Sequence, residues 1–201
     1  MSDIENVLTY WFGDRANPHP DDFMNRIRRW FAGGLEIDRE ISETFGRLLS
    51  EAQDGKLADW AQTPRGRLAL IIVLDQFSRN VYRGEAQAFA QDAAARALTI
   101  EGVELGADND YGLVERMFFN MPLVHAEDLA LQDRAVAYLE GLKGDDTASD
   151  RGMLDSATKA AIEHRDIIRK FGRFPARNKA LGRSSTPEED VFLREQAASN
   201  A

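Results

Sequence analysis

The sequence predicts an all-α fold built of antiparallel helical hairpins. Apolar residues recur at three- and four-residue spacing almost throughout, helix-start signals precede most of those runs, and no segment makes a convincing strand. At 201 residues, 43% hydrophobic and 29% charged, the chain divides most simply as one domain over 1–201.

Ser2 and Glu5 have capping-box spacing, and Ile4, Val7, Leu8, Trp11 and Phe12 then form one face up to Gly13. Phe23, Ile27, Trp30 and Phe31 make a second apolar set that ends at Gly33-Gly34. A third helix is expected over 38–52, with Ile41, Phe45, Leu48 and Leu49 together, followed by a short turn over 57–61. Thr63-Pro64 reads as a cap and first-turn proline for a helix reaching about Asn80. Its LALIIVL run is apolar on every side, which makes that helix central. Taken alone, 68–74 would also suit a buried strand. Further helices are expected over 85–101, over 113–140 (one interrupted by Pro122 or two meeting there), over 153–171, and from the Thr186-Pro187 signal to about Ala197. Polar stretches at 102–112 and 141–150 are loops, and 172–185 is irregular. Runs of paired helices with short connections suggest stacked or bundled hairpins. No repeat of 33–47 residues is legible.

Composition excludes several chemistries. The chain has no cysteine, hence no disulfide, thiolate nucleophile, iron–sulfur cluster or cysteine-based zinc site. A net charge of −9 argues against general nucleic-acid binding. The longest uncharged apolar run, 68–74, is far short of a membrane span, and the N-terminus lacks the pattern of a secretory signal. A cytoplasmic protein without membrane or nucleic-acid partners is the expectation.

Against that acidic background, 165–183 carries seven basic residues and one acid, Asp166. Such an island either neutralises the protein's own carboxylates or receives an external anion. Polar residues also fall on apolar stripes. His164 lies between Ala160 and Ile168, four residues from each, and His125 follows Met121 by four and Phe118 by seven. Asp75 follows Ile71 by four and Leu68 by seven, and Arg79 follows Asp75 by four, on the same face. Asp75, Arg79, His125 and His164 are therefore expected to point inward, where a charge must find partners or change protonation state. His19, in NPHP, is expected to be exposed.

Templates for a P-loop, a dinucleotide fold, a nucleophile elbow or HExxH are absent. No metal or cofactor is expected, because the nearby arginines would oppose a cation. The leading expectation is a binding protein with a cationic, partly buried pocket for a small anion or a peptide carboxylate. Its ligand groups would be Arg79, Asn80, Arg83, Arg173, Arg177 and Asn178, since arginine forks match such anions. One alternative is a hydrolase or lyase on an anionic substrate, with His164 or His125 as acid–base and Asp75 as orienting partner. Another is a structural or interaction module in which the cluster is an internal salt-bridge network.

LDQFSRNVYRG (74–84), ERMFFNMPLVHAEDLALQ (115–132) and HRDIIRKFGRFPARNKALGRSSTPEE (164–189) resemble the signature blocks of bacterial domain-of-unknown-function family 924. YWFG (10–13), Trp30-Phe31, Asp38 and Asp54-Gly55 are similar too, so the resemblance spans most of the chain. It implies a right-handed, tetratricopeptide-like array of helical hairpins and no settled activity. The chain departs from the family pattern at Ala126, where serine is usual, and at Ala176, where histidine is common. No role here rests on either side chain.

Overall fold

The computed structural model describes residues 2–14, 22–144 and 148–199. Among these, every regular element is helical and none is a strand. His19 lies outside the described residues, as do the side chains of Phe23 and Phe31 and positions 145–147 of the expected linker.

Helix α1 (Asp3–Phe12) begins where the sequence signal places it, with Ser2 Oγ accepting from the Glu5 amide at 3.3 Å. Helix α2 (Asp22–Ile27) passes directly into a π-helical turn, Arg28–Ala32. Helix α3 (Leu35–Gln53) follows. Helix α4 (Pro64–Ile71) is capped by Thr63, whose Oγ1 accepts from the Gly66 amide at 3.1 Å. It continues through a second π-helical stretch, Ile72–Phe77, into α5 (Ser78–Val81). The run that could have been a strand is thus helical and central: Leu68 to Leu74 are all at most 5% exposed.

Some boundaries differ from expectation, and the choice left open over 113–140 is decided. The 85–101 segment divides into a 3₁₀ turn, Ala86–Phe89, and helix α6 (Asp92–Glu104), whose first turn carries Asp92, an acid suited to a helix start. The 113–140 segment forms two helices, α7 (Leu113–Val124) and α8 (Leu129–Gly141). Pro122 sits within the last turn of α7, where it removes a backbone donor, and the helix ends two residues later. Asp128 then caps α8, accepting from the Leu131 amide at 3.0 Å. Helix α9 starts earlier than expected, at Ala148, and runs to Phe171; α10 spans Pro187–Ser199.

Two hydrophobic cores form. The first gathers Val7, Trp11, Ile41, Leu49, the buried face of α4 and its π stretch, and Phe118. Aromatic edges tie it together, Trp11 meeting Phe77 and Phe118 at 5.6 Å each. The second joins α7, α8 and α9 through Met117, Leu123, Leu139, Leu154 and Ala161. Met121 packs against both, so α7 contributes to each.

Candidate functional site

The site begins with the π-helical stretch Ile72–Phe77. A π turn holds an extra residue, which re-aims side chains that a regular helix would spread around its axis. Asp75 and Gln76 belong to it. Asp75 is fully buried, and its carboxylate collects three partners. His125 Nδ1 lies 2.9 Å from Oδ1 and 3.0 Å from Oδ2. Arg79 Nη1 is 3.0 Å from Oδ1, and Gln76 Nε2 donates to Oδ2 at 2.5 Å. Burial alone would raise the Asp75 pKa, but Arg79 and His125 more than offset it and hold the carboxyl ionised.

His125 sits in the short break between α7 and α8. Gln132, itself fully buried, fixes that break by donating to the Val124 and Ala126 carbonyls at 2.7 and 2.8 Å. Burial, with Arg79 beside it, pushes the imidazole pKa below its ordinary value, so the ring is neutral near pH 7. With the proton on Nδ1, the Asp75 carboxylate accepts its hydrogen bond, and Nε2 is left as a lone pair without a protein partner among the described residues.

A cavity of about 660 Å³ opens at this imidazole, at the junction of the two cores. Its walls are mainly apolar: Ile27, Trp30, Met117, Phe118, Met121, Val124, Leu139, Met153 and Ala157. The π turn after α2 supplies Trp30, pinned by its Nε1 donating to the Trp11 carbonyl at 3.0 Å. The polar lining groups are Gln76, His125, His164 and Ser156. Ser156 and Ala160 are exposed and lie on the rim. His164 packs edge-on to Phe174, ring centroids 5.3 Å apart, and burial together with Arg177 lowers its pKa; the Val124 carbonyl opposes part of that shift. Among the described residues, no lysine or arginine lines the cavity.

The other expected site residues divide into separate networks. Arg79 bridges Asp75 to Asp92, its Nη2 2.9 Å from Asp92 Oδ1. Arg177 joins the same knot: Nη1 is 3.1 Å from Asp92 Oδ2, and Nη2 donates to the His125 carbonyl at 2.9 Å. Its guanidinium packs between the Phe89 and Phe174 rings, 4.7 and 4.5 Å from their centroids. Arg83 and Asn80 turn elsewhere, both to Asp38 of α3, with Arg83 held as a bidentate fork at 2.6 and 2.7 Å. Arg173 forks onto Glu189 of α10 at 2.7 and 2.8 Å, and Asn178 donates to the same carboxylate at 3.2 Å. Glu189 is held down to about pKa 2 by Arg173 and by the Thr186 amide. Arg183 forks onto Glu127, which also accepts from the Phe174 amide. The arginines of the cationic island are therefore matched by carboxylates of the chain itself. The structure brings Asp75, Arg79, His125 and Arg177 together, places His164 on the same cavity, and sends Asn80, Arg83, Arg173 and Asn178 to other ion pairs.

Gln76, Asp92 and the methionine walls were not foreseen as site groups. Gln76 adjoins Asp75 in sequence, but only the π geometry brings it to the cavity. Among the described residues, no group of three His, Cys, Asp or Glu is arranged to hold a metal. No helix among them is long and apolar enough to cross a membrane.

The family described as bacterial protein of unknown function, DUF924, matches residues 7–197. A solved structure, that of a protein of unknown function, ATU0120, from Agrobacterium tumefaciens, is 33% identical with a TM-score of 0.77 and covers 96% of this chain and 97% of its own. A search of the curated proteins gives no match.

Proposed function

Because the chain belongs to the bacterial DUF924 family of unknown function, its chemistry has to be read from its own geometry, and we propose that it binds a small, largely apolar ligand in the cavity beside His125. One observation carries this reading: a buried carboxylate aims a neutral imidazole at a mainly apolar space of drug-sized volume. A core has no use for such a void, since unfilled volume forfeits packing.

The ligand's polar end faces two groups: the His125 Nε2 lone pair, which accepts from a hydroxyl, an N–H or a bridging water, and the Gln76 amide, which donates to a carbonyl or other neutral acceptor. The sequence reading assigned a small anion or a peptide carboxylate to the arginines. Each of those guanidiniums already faces a carboxylate, which weighs against an anion there. An anionic head at the cavity would require a protonated imidazole, which burial and Arg79 disfavour. The arginine networks serve instead to hold the 172–185 segment against α10 and against the back of His125.

We further read the helices as a right-handed, tetratricopeptide-like array. Packing of α7 on α8, α8 on α9 and α7 on α9 supports it, since stacked hairpins make such contacts. A cytoplasmic location remains a proposal from the sequence.

Titration with N-phenyl-1-naphthylamine, a neutral apolar fluorophore with one N–H, tests the binding reading. Saturable enhancement is expected in the full chain and should be weakened in Ala157→Phe, which puts an aromatic ring into the cavity. Absence of saturable binding, or binding indifferent to Ala157→Phe, would count against it.

A further inference from the structure

We propose that His125 is a general base that activates water to hydrolyse a largely apolar carboxylic ester bound in the cavity, with Asp75 as its positioning residue and the Gln76 amide as donor to the ester carbonyl oxygen. This deepens the ligand-binding reading and rests on it.

The geometry that points there is a shared oxygen. Asp75 Oδ2 is 3.0 Å from His125 Nδ1 and accepts from Gln76 Nε2 at 2.5 Å, so base and amide stand side by side on one carboxylate. Both line the cavity. With Nδ1–H committed to Asp75, the basic lone pair is on Nε2. The second amide hydrogen of Gln76 has no protein acceptor among the described residues. A neutral donor on a wall whose described residues include no lysine or arginine suits an acyl carbonyl better than a phosphoryl group, whose charge would need a cation.

The step balances without any co-reactant. A water on Nε2 gives up a proton to it as the water oxygen bonds to the acyl carbon, and the carbonyl π pair moves onto the oxygen facing Gln76. Collapse of the tetrahedral adduct breaks the acyl C–O bond, and the leaving alkoxide takes the proton back from Nε2. Nothing is oxidised or reduced. The transient imidazolium lies against the Asp75 carboxylate, which stabilises it. The charged and titratable groups around His125 are Asp75 and Arg79 on the α4–α5 rod, Asp92 at the start of α6, Arg177 from the 172–185 segment and His164 of α9. Arg79 and Arg177 oppose protonation of the imidazole, and Asp75 favours it. The rate should therefore rise with pH and level off with a midpoint below the usual imidazole value of about 6.5.

The test is hydrolysis of p-nitrophenyl hexanoate by the full chain, read as p-nitrophenolate release alongside the naphthylamine titration. Saturable hydrolysis is expected, faster than with the acetate ester, and kcat should fall about 100-fold or more in His125→Gln. Gln76→Ala should lower kcat more than it changes KM. Asp75→Asn should lower kcat and also move the pH midpoint, which a purely structural role would not do. Because Asp75→Asn disturbs a buried ion pair, His125→Gln and Gln76→Ala decide the matter if it fails to fold. Hydrolysis no faster in the wild type than in His125→Gln would overturn the proposal. If naphthylamine binding is intact in that case, the base is refuted and the binding reading stands; if binding is absent as well, both fall.

Discussion

Asp75 is the residue on which the site depends, and its energetics follow from burial. A carboxylate without solvent exposure is tolerable only because Arg79, His125 and Gln76 all bond to it. Arg79→Ala removes the full positive charge and leaves the rest of the knot buried. Urea unfolding should show a loss of about 3–5 kcal/mol, as for other broken buried pairs; a loss near that of an exposed pair, below about 1 kcal/mol, would mean that solvent reaches the cluster. The two cavity histidines set the pH dependence. Burial holds both below the ordinary imidazole pKa, so the native chain stays neutral where an unfolded chain takes up protons. Their contribution is complete above about pH 6.5 and is lost as pH falls through the lower folded values. Asp38 and Glu127, depressed by Arg83 and Arg183 despite burial, extend the loss on the acid side of the ordinary carboxylate range. Tm should be level above pH 7 and fall below it, and the first part of that fall should shrink in the His125→Gln, His164→Gln double variant. Asp75, Arg79, His125 and His164 could be singled out from sequence because a polar residue on an apolar stripe stands out against its period. Gln132 carries the same signal, three, four and seven residues before Ala135, Val136 and Leu139, and was missed; Asp92 carries none, since periodicity gives the face of a residue, not its contacts.

At the scale of elements, the cap signals were the most faithful guides. Ser2 and Thr63 both cap as spaced, and the Thr186-Pro187 pattern opens α10 with Glu189 and Thr186 in reciprocal bonds. The π turns escaped detection. LALIIVL is apolar on every side, so an added residue in the turn leaves no phase error to read in the sequence. Yet that turn presents Gln76 to the cavity beside a buried Asp75. The start of α4 gives an independent check on close packing. A Cβ at Gly66 would lie 2.2 Å from the Trp60 carbonyl oxygen and 2.8 Å from Thr63 Oγ1, so backbone and cap must both move. Gly66→Ala should destabilise by about 1–3 kcal/mol in chemical unfolding, against the gain that alanine usually brings to a helix interior. A neutral or stabilising effect would mean that this turn is looser than described.

For the whole molecule, the main feature is two cores sharing α7 with a cavity at their junction. Met117, Phe118 and Met121 were correctly read as an inward stripe. That the stripe borders empty space was not legible, because a hydrophobic pattern says which face turns inward and not how completely opposing faces meet. The cavity also implies a trade between stability and function. Filling part of it with Ala157→Phe should raise stability by about 0.5–2 kcal/mol in thermal unfolding while weakening ligand binding; a destabilised variant would mean that the space is already occupied by its own walls. The most direct test of the account uses the fact that the chain has only three histidines. Imidazole NMR signals, assigned with His125→Gln and His164→Gln, would be followed as N-phenyl-1-naphthylamine is added. The account predicts that the His125 and His164 resonances move together and saturate. Resonances of these two that do not move would contradict a ligand seated beside the Asp75–His125 pair.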